Sequence, residues 1–305
     1  MCSFPDELSE EAIEGIRKEF QSTTVRVTSP ALEKILYKPI PVLDHGFIRV
    51  IDYMGTDSSV VQAARVSYGA GTKKTQEDRG LINYLMAHRH TTPFEMCEIK
   101  FHLKMPIFVA RQWVRHRTAS LNEYSARYSV LSSEFYIPEI SQLSKQSETN
   151  KQGKSEEEFS RDHSGEILEI LEQTCRESYE KYSHMLNDLS LTRELARTVL
   201  PISIYTEMYW KIDLHNLMHF LELRADSHAQ YEIRCYAEVI LNILKEWVPF
   251  TYDAFINYRK EAVSLSKKST ELIKRMLRGE KISREESGLG KSEWLEFSKA
   301  FGIQD

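Results

Sequence analysis

The stretch from Phe94 to Met105 constrains the fold of this chain more than any other. Cys97, Ile99, Phe101, Leu103 and Met105 alternate with Glu98, Lys100, His102 and Lys104. A period of two puts the first set on one face of a strand and the second on the other. The spacing therefore predicts a half-buried strand with one apolar face and one charged face. Pro106 follows and suits the first turn of a helix. That helix, read as 106–116, would carry an arginine cluster in its last turn, where the helix dipole favours cations. A parallel βαβ rhythm and a Gly-x-Gly-x-x-Gly motif are both missing from the sequence, which argues against a doubly wound nucleotide fold.

A chain of 305 residues can build one large domain or two ordinary ones with a sizeable core. Its formal charge of −5 argues against a dedicated nucleic-acid binder but leaves room for a local anion site. No apolar run reaches the roughly eighteen residues of a membrane span. The first residues lack the basic-then-apolar pattern of a secretory leader. Cys2, Cys97, Cys175 and Cys235 are scattered and form no Cys-x-x-Cys pair, so zinc knuckles and dithiol motifs are not expected. A reduced, cytoplasmic protein is the simplest expectation.

Residues 5–21 carry the apolar stripe of an amphipathic helix, and the prolines at 30, 39 and 41 mark a connector. Residues 46–55 read as a strand, and 58–67 and 75–88 as helices. Residues 142–160 are polar and poor in large apolar side chains, the pattern of a mobile surface loop. Helical patterns occupy 156–187 and 190–200. A long apolar periodicity with one interruption covers 207–247. The tail beyond about 265 holds short helical patches.

The densest polar chemistry lies between Arg111 and Tyr128. Arg111, Arg115, Arg117 and Arg127 share this segment with His116, Ser120, Asn122, Glu123 and Ser125. Guanidinium forks match phosphate oxygens bidentately, and hydroxyls and amides can read a base or sugar. Such a segment is either a surface basic stripe or the holder of a phosphorylated small molecule. A second constellation runs from Asp213 to Gln230. His215 and His219 share a helix face, but no Glu follows His215 and no third ligand is evident. A metal pair competes there with polar ligand contacts and with ordinary surface histidines. Ser227 to Gln230 has the form of a capping box. A helix restarting there would leave Arg224 beside a helix junction, free to point into a cleft or to pair with Glu222 or Asp226. A third segment, His88 to Glu95, is a loop that suits function or a simple polar turn.

In order along the chain, these segments resemble the flavin-dependent thymidylate synthases. The Arg-His-Arg-x7-Ser signature is matched by Arg115-His116-Arg117 and Ser125. It is supported by Ala64-Arg65-Val66-Ser67, His90-x-Thr92-Pro93-Phe94-Glu95, Ala196-Arg197-x-Val199-Leu200-Pro201 and Leu223 to Gln230. The resemblance covers about residues 40–265. It leaves 1–39 as an N-terminal extension and 266–305 as a C-terminal one.

The resemblance implies an α+β fold with helices around a twisted, mainly antiparallel sheet. It also implies a homotetramer whose active sites lie between subunits. The implied reaction converts dUMP and 5,10-methylenetetrahydrofolate to dTMP and tetrahydrofolate, with NADPH as reductant through FAD. By position, the FAD contacts would be Ser67, His90, Thr92, Glu95, Arg115, His116, Arg117, Asn122, Glu123, Asp213, His215, His219, Leu223 and His228. Relatives carry Asn, Arg and Asn at 213, 215 and 219, so this chain changes the local charge but keeps hydrogen-bonding groups.

The implied dUMP contacts are Gln112, Trp113, Val114, Arg115, Glu123, Tyr124, Ser125, Ala126, Arg127, Arg197 and Arg224. Ala126 stands where Gly is common, a costly exchange if the backbone there has positive φ. Arg224 would be the catalytic residue, stabilising charge on the uracil ring. Ser125 would position the base, and Arg127 and Arg197 would hold phosphate. No metal is implied. The rival classes are a nucleic-acid binder using Arg111, Arg115, Arg117 and Arg127, and a metal hydrolase on His215 and His219.

Overall fold

The computed structural model describes residues 9–66, 75–146 and 159–303. They fall into two compact units, Met1–Phe255 and Ile256–Asp305. The centre of the first is a five-stranded antiparallel sheet. Its strands are β1 (Pro39–Val42), β2 (Gly46–Met54), β3 (Glu98–Pro106), β4 (Ser120–Glu123) and β5 (Tyr205–Asp213), in the order β1-β2-β3-β5-β4. Its helices, in chain order, are α1 (Glu10–Glu19), α2 (Pro30–Glu33), α3 (Asp57–Arg65), α4 (Thr75–Ala87), α5 (Thr92–Glu95) and α6 (Ile107–Trp113). After β4 come α7 (Arg161–Asn187), α8 (Arg193–Ala196), α9 (Leu214–Arg224), α10 (Tyr231–Trp247) and α11 (Pro249–Phe255). This is the α+β architecture the family resemblance implies. None of the described helices is long and apolar enough to cross a membrane.

The alternation that opens the sequence argument does set the sheet's two faces. Ile99, Phe101, Leu103 and Met105 of β3 are buried, as are Met208, Trp210 and Ile212 of β5. Phe101 pairs with Trp210 in register, and their rings stack at 6.0 Å. Trp113 of α6 and Phe220 of α9 close over this layer, 4.4 Å apart between ring centres. Each such buried aromatic contributes about 1.5–3 kcal/mol. Gly46 opens β2 because a Cβ there would meet the Tyr236 hydroxyl at 1.9 Å. That hydroxyl donates to the Lys104 carbonyl at 2.7 Å, tying α10 to the sheet. The opposite face of the sheet is charged. Lys211 bonds Glu98 at 2.8 Å, and His102 bonds Glu207 at 2.7 Å.

Several boundaries differ from the sequence reading. β3 starts at Glu98, because Thr92-Pro93 opens the short helix α5. α6 stops at Trp113, so Arg115 to Arg117 follow the helix and do not occupy its last turn. The long apolar periodicity read over 207–247 begins as strand β5. There Glu207, Tyr209 and Lys211 alternate with Met208, Trp210 and Ile212, a period of two that outweighs the helical match. The break after Arg224 is real, but α10 begins at Tyr231 with Gln230 as its cap residue, and the Ser227 box does not form. Asp226 instead accepts the His228 amide at 2.8 Å, a local turn that competes with a helix start. The connector around the prolines contains α2 and β1. Most of the loop read at 142–160 lies outside the described residues.

The second unit holds α12 (Lys267–Leu277), α13 (Arg284–Ser287) and α14 (Lys291–Phe301). They pack on a core of Leu272, Ile282, Leu289, Trp294 and Phe297.

Candidate active site

Two clefts flank the C-terminal end of α6. The first, about 520 Å³, is walled by Arg115, His116, Arg117 and Thr118 from the α6–β4 connector. Its other wall is Ile212 of β5 with Asn216, His219, Leu223 and Arg224 of α9. The second, about 340 Å³, is lined by Arg111 and Val114 of α6 and its end, by Glu123 to Ala126, and by Arg197. A third cleft, about 560 Å³, lies between residues 14–37 and β2 and contains none of the residues singled out in the sequence.

The first cleft has an uncompensated positive charge. Among the described residues, its Arg115, Arg117 and Arg224 pair with no carboxylate, nor does Arg111 of the second cleft. Arg224 donates from Nε to His116 Nε2 at 3.0 Å and reaches the Gln112 carbonyl at 3.5 Å. Guanidinium can only donate, so His116 Nε2 carries the lone pair and its proton sits on Nδ1. Burial pushes the His116 pKa down to about 4, with Arg224 and His219 adding to the shift. His116 is therefore a neutral acceptor that orients a cation. Burial also lowers the Arg224 pKa, and Arg115 lowers it further. Two cations held close in a half-buried cleft, without a counter-ion, make an anion site.

The second cleft sets polar groups against an apolar wall of Ile107, Leu131, Leu200, Ile202 and Ile204. Glu123 accepts from Thr206 Oγ1 at 3.0 Å. The Ser125 hydroxyl accepts the Arg127 amide at 3.3 Å, and its carbonyl takes the amides of Tyr128 and Ser129. No base is placed to deprotonate Ser125 among the described residues, so it is not set up as a nucleophile. Arg127 and Arg197 converge on Glu194: the Arg127–Glu194 pair is 3.4 Å long, and Arg197 Nε donates to the Glu194 carbonyl at 3.3 Å. An exposed pair of this kind is worth about 0–1 kcal/mol, weak enough for a phosphate to displace.

The remaining candidates divide as follows. Trp113 is wholly buried, so only its backbone can meet a ligand. The Gln112 side chain bonds Gln230. Asp213 is the N-cap of α9, accepting Asn216 N at 2.9 Å and Asn216 Nδ2 at 2.8 Å. His215 is half-buried one residue into that helix. His90 and Thr92 are exposed and Glu95 is half-buried; α5, which holds Thr92 and Glu95, packs on α9. None of the three lines either cleft. His228 is exposed beside Asp226. Asn122 lies on the charged face of the sheet, paired with Tyr209, while Glu123 next to it lies on the other face. Ser67 lies outside the described residues. Ala126 has no positive φ and its methyl packs among Leu131, Phe135, Cys175 and Ile204, so the strain anticipated for a Gly position does not arise.

The profile of the thymidylate synthase complementing protein family matches residues 49–250. A flavin-dependent thymidylate synthase of Rickettsia bellii (strain RML369-C) is 57% identical over 289 residues, covering 91% of this chain and 98% of that protein. One from Wolbachia pipientis wMel is 58% identical over 273 residues, 90% of this chain and 95% of that protein. The chain belongs to the flavin-dependent thymidylate synthase family. Among solved structures, a UMP/dUMP methylase, PolB from Streptomyces cacaoi, bound with 5-Br UMP, superimposes with a TM-score of 0.65 at 33% identity. It covers 72% of this chain and 98% of that one.

The other class of thymidylate synthases uses a cysteine thiolate. In this family member the Cys97 thiol is buried and its pKa is pushed up to about 12. Burial also raises Cys235, and Cys175 is buried against Ser203 Oγ. Burial therefore works against the thiolate form of Cys97 and Cys235. Sequence reasoning missed Asn216, which lines the first cleft. Its spacing with His219 and Leu223, i, i+3 and i+7 on one helix face, was the available sign. It also missed Arg193, which donates to the Tyr128 carbonyl at 2.9 Å and pins the segment after Ser125.

Proposed function

We propose that this enzyme methylates dUMP to dTMP, with 5,10-methylenetetrahydrofolate as one-carbon donor and NADPH as reductant through FAD. Residues 40–265 carry the activity, with 1–39 and 266–305 as extensions. The observation that carries the reading is the cleft where Arg115, Arg117 and Arg224 meet neutral His116 without a carboxylate, next to a second cleft holding Ser125 and Arg197.

That donor set fits a dinucleotide. Unpaired guanidinium groups suit a diphosphate, and Asn216, His219 and Thr118 offer hydrogen bonds to ring edges and hydroxyls. Arg115, His116, Arg117, His219 and Leu223 would hold FAD from the first cleft. FAD, when bound, supplies the hydride that completes the new methyl group. Val114, Glu123, Tyr124, Ser125, Ala126 and Arg197 would hold dUMP in the second, with Arg127 swinging from Glu194 to the phosphate. Arg224 stands at the boundary. Its half-buried cation is held by His116 and the Gln112 carbonyl, and would stabilise negative charge developing on the uracil ring. Ser125 would orient the base through its hydroxyl.

Asn122 and Glu123, both in the FAD set, point to opposite faces of the sheet. Both stand on the edge strand β4, where a second copy of the chain can complete a site. This supports sites shared between copies and, with the family resemblance, a homotetramer.

The test is dTMP formation by purified protein with dUMP, methylenetetrahydrofolate, NADPH and FAD. Product that disappears when flavin is stripped and returns when it is restored supports the reading. Bound FAD without product would mean a flavoprotein with another substrate.

A further inference from the structure

The third cleft, about 560 Å³, shares no residue with the two clefts of the candidate active site. Most of its wall precedes residue 49, where the family profile begins. Its floor is held from several sides. The Tyr53 hydroxyl of β2 accepts the Ser29 amide at 2.8 Å and donates to Glu33 Oε1 at 2.5 Å. Ser29 Oγ donates to the Glu246 carbonyl at 3.1 Å, and Leu32 of α2 is wholly buried. Arg17 of α1 donates to the carbonyls of Leu36 at 2.5 Å and Glu33 at 3.1 Å, which ties α1 to α2. The rim is different. Residues 21–28 are all exposed, and among the described residues 22–28 make no backbone–backbone hydrogen bond. A loosely tied segment on a rigid frame is where ligand contacts are commonly placed.

The charges in this cleft do not all cancel. Glu14 pairs with Arg17 at 3.4 Å. Glu33 accepts the Tyr53 hydroxyl, and Asp52 faces Lys100 at 3.7 Å while accepting the Tyr53 amide at 2.9 Å. Each carboxylate is thus occupied, and so is the Arg17 guanidinium. Arg26 is left over, pairing with no carboxylate among the described residues. Its amide donates to Thr24 Oγ1 at 3.1 Å. Burial and the Glu33 hydrogen bond raise the Tyr53 pKa to about 12, and the Arg26 charge is among the effects that lower it, so that cation lies near the floor. Hydroxyls of Ser22, Thr23, Thr24 and Thr28 line the same cleft. An aromatic pair completes it. The Phe20 and Tyr37 rings stack with 5.9 Å between centres and 20° between planes, and Phe20 is 62% exposed. Tyr37 is held at φ 64°, a conformation non-glycine residues rarely adopt, with its amide on the Val50 carbonyl at 2.8 Å. Strain of this kind concentrates at ligand clamps.

We infer that this cleft is a second ligand site, built for a nucleoside phosphate. Guanidinium and hydroxyl donors suit phosphate oxygens, and an exposed aromatic pair offers a base a surface to stack on. The volume falls within the span of small-molecule sites, roughly 300–1,000 Å³, and exceeds what a bare phosphate fills. Arg26 and Thr24 take the phosphate, the neighbouring hydroxyls the sugar, and Phe20 with Tyr37 the base. The site stands apart from the dUMP and FAD clefts and does not depend on how those are filled.

The experiment is equilibrium dialysis of ATP and of dTTP against the full-length protein, first saturated with FAD and dUMP so that the active-site clefts are occupied. Both nucleotides should still bind. Arg26→Ala is expected to raise their Kd about 10- to 100-fold, the worth of a charged hydrogen bond. Phe20→Ala should raise it about five- to one-hundred-fold, the span of a base–aromatic stack. Both side chains are outside the active-site clefts and exposed or on the untied rim, so each variant should keep its fold and its rate of dTMP formation. Inorganic phosphate and thymidine, each carrying part of the ligand, should bind more weakly than either nucleotide. Amide hydrogen exchange over residues 20–37 should slow when nucleotide is added. Absence of nucleotide binding beyond the active site, or binding that neither substitution weakens, overturns the inference. Inorganic phosphate binding as tightly as the nucleotides also overturns it, because the rings would then have no part. A protein that takes up neither FAD nor dUMP defeats the proposed function, while the comparison of parent and Arg26→Ala still decides this site.

Discussion

His116 should make the folded state sensitive to mild acid. Its pKa is about 4 in the folded chain, against about 6.5 for a free imidazole. Between these values the unfolded chain binds a proton that the folded chain does not. Stability from this group is therefore complete above about pH 6.5 and is lost as the pH falls toward 4. The full displacement corresponds to ~3 kcal/mol. The ring is only half-buried and water screens it, which reduces the figure to roughly 1–2 kcal/mol. His116→Gln removes the titration and leaves an amide oxygen for Arg224 Nε to donate to. Denaturant unfolding of both proteins at pH 7 and pH 4.5 isolates the effect, since every other acid-sensitive group is common to the two. The parent chain should lose about 1–2 kcal/mol more than the variant over this interval. Parallel losses would refute the assignment of a neutral His116 buried against Arg224. A larger loss in the variant would reverse its sign.

Arg224→Lys keeps the charge but loses the Nε donor to His116. It should lower turnover about 10- to 100-fold, the worth of a charged hydrogen bond, with FAD binding little changed; equal loss of both would count against a role at the uracil ring. Asp213→Ala removes the N-cap of α9 and should destabilise the protein by about 1 kcal/mol in denaturant melts, whereas Asp213→Asn should be close to neutral. Ala126→Gly should destabilise by ~0.5–1 kcal/mol, because the position has no positive φ for glycine to relieve and its methyl is packed. Arg193→Ala should raise the KM for dUMP several-fold with kcat nearly constant, since it frees the segment after Ser125 without touching the base.

What the sequence made legible follows from which signals are local. The β3 alternation is a one-strand property, and its buried set matches from Ile99 onward. The Arg-His-Arg-x7-Ser segment is also local, and its residues do line two adjoining clefts. Strand β5 was hidden because Leu214, Leu217, Met218 and Leu221 of the following helix continue its apolar content and blur the change of period. Strands β1 and β4 have only four residues each, too short for a period to show. The row of Arg49, His102, Tyr209 and Asn122 joins residues from four strands, and only the sheet order puts them side by side. Its members were visible as types but not as a row.

The departures at 213 and 219 are intelligible once α9 is placed. An acidic residue near an anion site should repel the ligand, yet Asp213 is the N-cap of α9 and its carboxylate is occupied by the amide and side chain of Asn216. The positive end of the helix dipole compensates its charge locally. Asn, which the family resemblance implies at this position, caps a helix equally well, so the exchange preserves the start of the helix and with it the placement of Asn216, His219 and Arg224. His219 lies beside His116, with ring centres 6.1 Å apart, and contributes to keeping that imidazole neutral. An Asn at 219 would not add this push. The pair His219 and His116 should therefore be coupled in this chain. His219→Asn should raise the pKa of His116 toward its ordinary value, read by histidine NMR titration, while leaving burial and Arg224 to hold it below 6.5. A His116 titration that ignores the substitution would show that burial and Arg224 act alone.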